Sequence, residues 1–370
     1  MKMSKITVKL SIVLIAVVSI IVYIVYTGTP ATDILRQGVP IVSEDIAIAM
    51  EDTGKPAKEI VNPSGFINTD RITISELIRK KVILVDFWTY SCINCQRTFP
   101  YLNAWYEKYK DKGLLIVGIH TPEFRFEKKY ENVQAAVKKF GLKYPVVLDN
   151  DYDTWRAYGN RYWPRKYLIN IHGNIVYDHI GEGAYEETEK KIQDLLDERM
   201  KVLGEQKGVG REVSRPRDAP AVNFAMVRSP EVYFGSDRNE YLGNGKQGIS
   251  GIQTLTTPSK VKLNTLYLVG EWNFQDEFAE NKSRNAKIIF RYQAKNVYMV
   301  ANSPGSVKLR ISMDGKPLKK DSGEDVSKEG TVTVKEDRLY KLIEGSEYGE
   351  HTIEITVESP GFRAYTFTFG

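Results

Sequence analysis

Val82-Ile83-Leu84-Val85-Asp86-Phe87-Trp88-Thr89-Tyr90-Ser91-Cys92-Ile93-Asn94-Cys95 is the stretch that decides the fold. Its first seven residues form an apolar run broken by one carboxylate, the pattern of a strand buried on both faces. Its last four are a Cys-x-x-Cys, and behind them Phe99, Leu102, Tyr106 and Tyr109 recur at helical spacing. A strand ends, a few residues turn, and a helix begins at or near Cys92. The first sulfur then lies among unpaired backbone N–H groups at the positive end of the helix dipole. Both effects favour thiolate over thiol, so Cys92 is expected to be the attacking nucleophile. Cys95 lies one turn further in on the same face, close enough to resolve a mixed disulfide. These are the only 2 cysteines in 370 residues, too isolated a pair for a structural zinc site, so no metal is expected.

Outward from this stretch the pattern alternates. Residues 114–119 read as a second buried strand and 127–140 as a helix, with Val133, Ala136, Val137 and Phe140 on one face and Gly141 as its stop. Residues 145–148 form a short strand, 167–171 and 175–180 a hairpin, and 185–200 a charged amphipathic helix. This order predicts an α/β domain over 61–202, with a mixed central sheet and helices on both faces. Residues 203–219, with Gly208 and Gly210 among alternating charges, read as a linker. From 220 to 370 no long helix is expected. Short β-rich runs at 261–269, 287–292, 296–300, 307–313, 331–334 and 351–357 alternate with turn signals such as Asp314-Gly315, predicting an all-β sandwich.

At the other end, Lys2, Lys5 and Lys9 precede an uncharged, mostly apolar run from Leu10 to Tyr26. As a helix it spans about 26 Å, against a hydrocarbon core of about 30 Å, and Val8 with a snorkelling Lys9 makes up the difference. Residues 1–30 are therefore expected to be a single transmembrane anchor with its N-terminus cytoplasmic, and 31–60 a tether to domains outside the cytoplasm. Thr27-Gly28-Thr29-Pro30 makes a poor cleavage site for the alternative, a signal peptide. With 52 basic and 47 acidic side chains interspersed, the net charge of +5 describes a mixed solvated surface, and nucleic acid is not expected as a partner.

The motif around the cysteines resembles the active-site run of thioredoxins. Pro100, five residues after Cys95, matches the proline of the family's active-site helix. By the same resemblance Asp86 is the buried carboxylate that moves the proton of Cys95. Trp163-Pro164 is the cis-proline loop, where substrate peptide pairs in β fashion. The long gap between Cys95 and Pro164, with His120-Thr121-Pro122-Glu123-Phe124 and the 127–140 helix, resembles the TlpA/ResA branch of membrane-tethered extracytoplasmic thioredoxins. The wording of residues 88–95, 120–123 and 160–164 is most similar to the DipZ subgroup, which joins such a domain to a β-sandwich resembling a carbohydrate-binding module. The resemblance implies disulfide exchange with protein substrates, no cofactor beyond the Cys92–Cys95 disulfide, and a CcdA-like or DsbD-like membrane electron donor. Many DipZ proteins carry a multi-span electron-transfer region, whereas one span is expected here, so the reductant is expected to be another protein.

The supporting residues have plainer readings beside the functional ones. Glu123 either tunes a cysteine or is a surface carboxylate. Trp88 and Trp163 flank the disulfide, or Trp88 is core. Arg97 faces either substrate or water, and His120 is a structural histidine. Tyr233, Tyr241, Trp272 and Phe274, beside Asp237, Arg238, Asn239 and Glu240, could platform a sugar or pack a core. Two other chemistries compete with dithiol exchange. A thiol peroxidase would use the Thr89-x-x-Cys92 spacing with Arg165 beside it, though a peroxiredoxin has a proline where this chain has Asp86. A Sco-like copper chaperone would use a Cys-x-x-x-Cys and a distant histidine, and these cysteines are one residue closer.

Overall fold

The computed structural model describes residues 54–205, 208–220, 222–318 and 320–370. The expected anchor and nearly all of the tether lie outside them. Among the described residues no helix is long and apolar enough to cross a membrane.

A seven-stranded mixed sheet carries the first domain. Its strands are β1 (Lys55–Pro56), β2 (Gly65–Ile67), β3 (Val82–Trp88), β4 (Leu114–His120), β5 (Val146–Leu148), β6 (Arg165–Ile169) and β7 (Asn174–Ile180). They lie in the order β1-β7-β6-β3-β4-β5-β2. β3, β4 and β5 run parallel, and β6 lies antiparallel to β3 on the other side. Among the described residues four α-helices accompany them: α1 (Ile93–Tyr109), α2 (Tyr130–Lys139), α3 (Asp153–Ala157) and α4 (Tyr185–Leu203). Side chains of β3 alternate between two cores. Val82, Leu84 and Trp88 meet Leu102 and Trp105 of α1, Val133 and Val137 of α2, and Ile192 and Leu196 of α4. Ile83, Val85 and Phe87 meet Ile72, Ile74 and the half-buried Trp155 and Tyr158. Helices do occupy both faces, but the three long ones share one, and among the described residues the only helix on the other is the five-residue α3. By the same alternation Asp86 points to the α1 side.

Gly118 of β4 lies opposite Asp86 in register. A Cβ there would come within 2.8 Å of Trp88 Nε1 and 3.1 Å of Tyr144, both fully buried. Gly118→Ala is therefore expected to destabilise the domain by about 1–3 kcal/mol through overpacking, read as a lower midpoint in chemical denaturation.

Sequence periodicity places the start of the second helix at 127, whereas α2 begins at Tyr130. Residues Arg125–Lys128 form a separate 3-10 turn. The Glu127 carboxylate accepts from the N–H groups of Glu123 and Phe124 and holds that turn closed. The segment read as a linker packs back along α4. There Val209 is buried, Arg211 pairs with Asp194 and Asp197, and Ser214 bonds Glu189.

The remainder is β-rich, with three-residue 3-10 turns its only helical elements among the described residues. Its strands are β8 (Val232–Tyr233), β9 (Gly251–Leu255), β10 (Leu266–Phe274), β11 (Ala279–Asn281), β12 (Ala286–Asn302), β13 (Val307–Met313), β14 (Lys316–Pro317), β15 (Thr331–Val334), β16 (Arg338–Val357) and β17 (Arg363–Phe369). The runs expected at 287–292 and 296–300 are one strand, β12, with register irregularities between Ala294 and Asn296 and between Val297 and Tyr298. Its first half pairs with β10 and its second with β17, so it passes between layers. The two domains share a core. Tyr298, Val300, Leu339 and Tyr365 pack in the cluster that holds α1, and the Tyr365 ring meets Phe124 at 5.1 Å and Phe126 at 4.9 Å.

Candidate redox site

β3 ends at Trp88, and Thr89-Tyr90-Ser91 carries the chain to α1. Three anchors fix this loop. Gln96 donates to the Tyr90 carbonyl at 2.8 Å, and the Tyr90 hydroxyl donates to the Asp337 carbonyl of the β-rich domain at 3.1 Å. The third anchor is Glu127, fully buried, whose Oε1 accepts from the Ser91 hydroxyl at 2.6 Å and the Ser91 N–H at 3.2 Å. Burial pushes the Glu127 carboxyl up to about 7, against the opposing pull of its hydrogen bonds.

Cys92 is the N-cap of α1, and its Sγ accepts from the Cys95 N–H at 3.2 Å. A sulfur here takes the place of the Ser or Asp oxygen that usually satisfies a free first-turn donor. Cys92 is partly exposed and Cys95 fully buried, both with free sulfurs. Burial pushes the Cys95 thiol well up, reinforced by its hydrogen bond to Cys92. The two cysteines are thus unequal. One sulfur reaches solvent at the helix terminus, and the other is a protonated thiol that must lose a proton before it can attack.

The charge of Asp86 acts on the Cys95 thiol. Asp86 is fully buried, and among the described residues neither carboxylate oxygen has a hydrogen-bond partner. Burial pushes its carboxyl up to about 7, and Lys166 is the one charge pulling it down. Lys166 is the residue that sequence reasoning passes over. It lies directly across from Asp86 in the β3–β6 register and is fully buried, and its Nζ donates to the Gly181 carbonyl at 3.3 Å. Desolvation lowers its own affinity for a proton while Asp86 raises it. A signal existed: Lys166 follows Pro164 by two and opens an apolar strand, where a lysine is costly unless paired.

The other expected site residues divide. Pro164 follows a cis peptide bond and is buried. Trp163 is half-buried, donates Nε1 to the Thr121 carbonyl at 3.0 Å and packs on Trp155 at 4.2 Å. Trp88 is wholly core, edge-on to Phe99 and His120. Glu123 turns from the cysteines to the β-rich domain, where its Oε1 accepts from Tyr233 at 2.8 Å and from Arg238 at 2.9 Å. The carboxylate of the added unit that touches the Cys92 loop is Glu127. Arg97 is 3% exposed and is paired with Glu182 at 3.0 Å.

The residues of the competing chemistries are engaged elsewhere. Arg165, needed beside Cys92 by a peroxidase, bonds Asp178 through Nε at 3.1 Å and NH2 at 2.6 Å. His120 is buried against Thr89 at 3.4 Å, and burial lowers its imidazole to about 3. Of the expected sugar platform, Trp272 and Phe274 are fully buried core residues, because β10 turns them inward. Tyr233 is covered by Arg238 at 3.6 Å, and Tyr241 packs half-buried on the core.

Two family models match the chain, Redoxin over residues 53–196 and the thioredoxin-like C-terminal domain over 229–370. Protein DipZ of Mycobacterium bovis is 34% identical over 328 residues, which is 88% of this chain. The match spans only 44% of DipZ itself. The thiol-disulfide oxidoreductase ResA of Halalkalibacterium halodurans is 34% identical over 127 residues, covering 34% of this chain and 68% of ResA. Among solved structures, the thioredoxin domain of a thiol-disulfide oxidoreductase from Bacteroides vulgatus aligns at 27% identity over 38% of this chain and 97% of that one, with a TM-score of 0.33. With its paired cysteines at a strand-to-helix turn and relatives of this kind, the chain belongs to the thioredoxin-like thiol–disulfide oxidoreductases.

Proposed function

We propose that this chain reduces protein disulfides outside the cytoplasm through the Cys92–Cys95 dithiol. The observation that carries the reading is the inequality of the two cysteines, one partly exposed at the N-cap and the other fully buried. In the first step the Cys92 thiolate attacks one sulfur of the substrate disulfide. The Cys92–S bond forms, the substrate S–S bond breaks, and the departing thiolate takes a proton from water. In the second, Cys95 passes its proton to Asp86 and attacks Cys92 Sγ. The bond between Cys92 and the substrate breaks, the second substrate sulfur leaves as a thiolate that takes a proton from water, and Cys92–Cys95 holds the disulfide. Two electrons pass to the substrate. A membrane electron donor of the CcdA or DsbD kind then returns the pair to the dithiol, and the Trp163–Pro164 loop pairs with substrate backbone.

The reduction potential tests the direction: a value below about −200 mV fits a reductant, and one near −120 mV an oxidant. Lys166 gives a second check. Its charge holds the Asp86 carboxyl down, so Lys166→Met is expected to move Asp86 above about 7. The pH midpoint of mixed-disulfide release should then rise by about one unit, in single-turnover rates measured between pH 5 and 9.

A further inference from the structure

A cleft of about 350 Å³ opens beside Asn94, the residue between the two cysteines. Asn94, Arg97 and Glu182 line it from the redox domain, and Phe224, Glu231 and Phe369 are among its lining residues from the β-rich domain. The two walls are held together. Beyond the shared aromatic core, Arg125 pairs with Asp276 at 3.0 Å, and Glu123 accepts from both Tyr233 and Arg238. The second domain therefore lines the cleft beside Asn94.

The cleft has a definite chemistry. Arg97 and Glu182 neutralise each other across 3.0 Å, both nearly buried. Glu231 Oε2 lies 2.8 Å from the Tyr233 hydroxyl, whose single proton is shared between Glu231 and Glu123, and among the described residues Glu231 has no ion-pair partner. The nearby Arg238 is spent on Glu123. Burial and the neighbouring Glu123 push the Glu231 carboxyl up to about 7, so above that pH two carboxylates and one guanidinium leave the cleft one charge negative. Phe224, 51% exposed, and Phe369 supply aromatic walls. A carboxylate between aromatic walls suits a lysine or arginine, whose stem packs on the rings while its charge meets the acid. The volume lies at the small end of ligand pockets, about 300–1,000 Å³, so it admits a side chain of an extended segment and no folded domain.

We propose that the β-rich domain builds one wall of the substrate site, and that the cleft takes an extended disulfide-bearing polypeptide with a lysine or arginine beside its reactive cysteine. This rests on the disulfide-exchange reading above and names the substrate class for that site.

Two cyclic disulfide peptides that differ only in the residue beside the first cysteine, lysine in one and glutamate in the other, test it on the full chain. Neutral hydroxyethyl disulfide serves as reference. At pH 8, above the Glu231 carboxyl at about 7, the lysine peptide is expected to exceed the glutamate peptide in kcat/KM by about tenfold at low salt, shrinking as salt screens the contact. Glu231→Gln should bring the two peptides to within about twofold of each other. Phe224→Ala should lower kcat/KM for the lysine peptide relative to the reference. Both side chains are exposed, so neither change removes core packing. Equal rates for the two peptides, or a lysine preference that survives Glu231→Gln, overturn the proposal. Inertness toward both peptides and the reference instead overturns the exchange reading and the proposal with it.

Discussion

Asp86→Asn is expected to slow release of the mixed disulfide by about 10²- to 10⁴-fold near neutral pH, the usual worth of a positioned proton acceptor. Attack by Cys92 should be little affected. The reason lies beneath the buried thiol. Cys95 is held protonated by burial, and the one carboxylate on its side of β3 titrates near 7, so it can both accept and return a proton at physiological pH. An amide cannot accept one. The deficit should shrink as pH rises, because Cys95 then ionises unaided. Rapid-quench lifetimes of the mixed disulfide between pH 6 and 10 check both features. Stability carries a second signature. The folded-state carboxyl lies near 7 and the unfolded one near 3.8, so between those values the folded state holds a proton that the unfolded state does not. That stabilising contribution is complete below about pH 4 and is lost as pH rises through about 7. Asparagine has nothing to lose there. The unfolding midpoint of Asp86→Asn relative to the parent should therefore climb across that window, reduced by the charge of Lys166 left without its partner.

Cys95→Ser is expected to give a severe loss of turnover together with a gain, the accumulation of substrate covalently bound through Cys92. Cys95 follows Cys92 by three residues in the first turn of α1, and its N–H already donates to the Cys92 sulfur at 3.2 Å. Well-oriented intramolecular groups act at effective concentrations of about 10⁵–10⁸ M, which millimolar external thiol cannot replace. Non-reducing electrophoresis after one addition of a disulfide-bearing protein should show a long-lived adduct with Cys95→Ser. With Cys92→Ser, turnover should be abolished.

Residues near one another in sequence were the legible part. The buried strand, the sharp turn and the cysteines at the start of α1 follow from a fourteen-residue stretch, and the hairpin of β6 and β7 follows from its apolar runs and central glycine. Legibility falls where strand register assigns the partner. Lys166 is eighty residues from Asp86, and only the pairing of β6 with β3 sets them side by side. Glu127 reads as a helix start because its neighbours have helical spacing, yet its carboxylate serves the Ser91 loop and a 3-10 turn. Strand β17 escaped because its Tyr365, Phe367 and Phe369 alternate with threonines, which suggests one wet face. In the structure that face is covered as well, with Thr366 and Thr368 buried. Trp272 and Phe274 show the same limit, since an aromatic residue on a strand reads alike as platform or core until the second layer is known.

The most direct test maps the covalent intermediate in the unmodified chain. Acid-quenching within the first turnover, alkylating free thiols and sequencing the cysteine peptide by mass spectrometry reports which sulfur carries substrate. The geometry predicts substrate on Cys92 and alkylating reagent on Cys95. Substrate found on Cys95, with Cys92 alkylated, would contradict it.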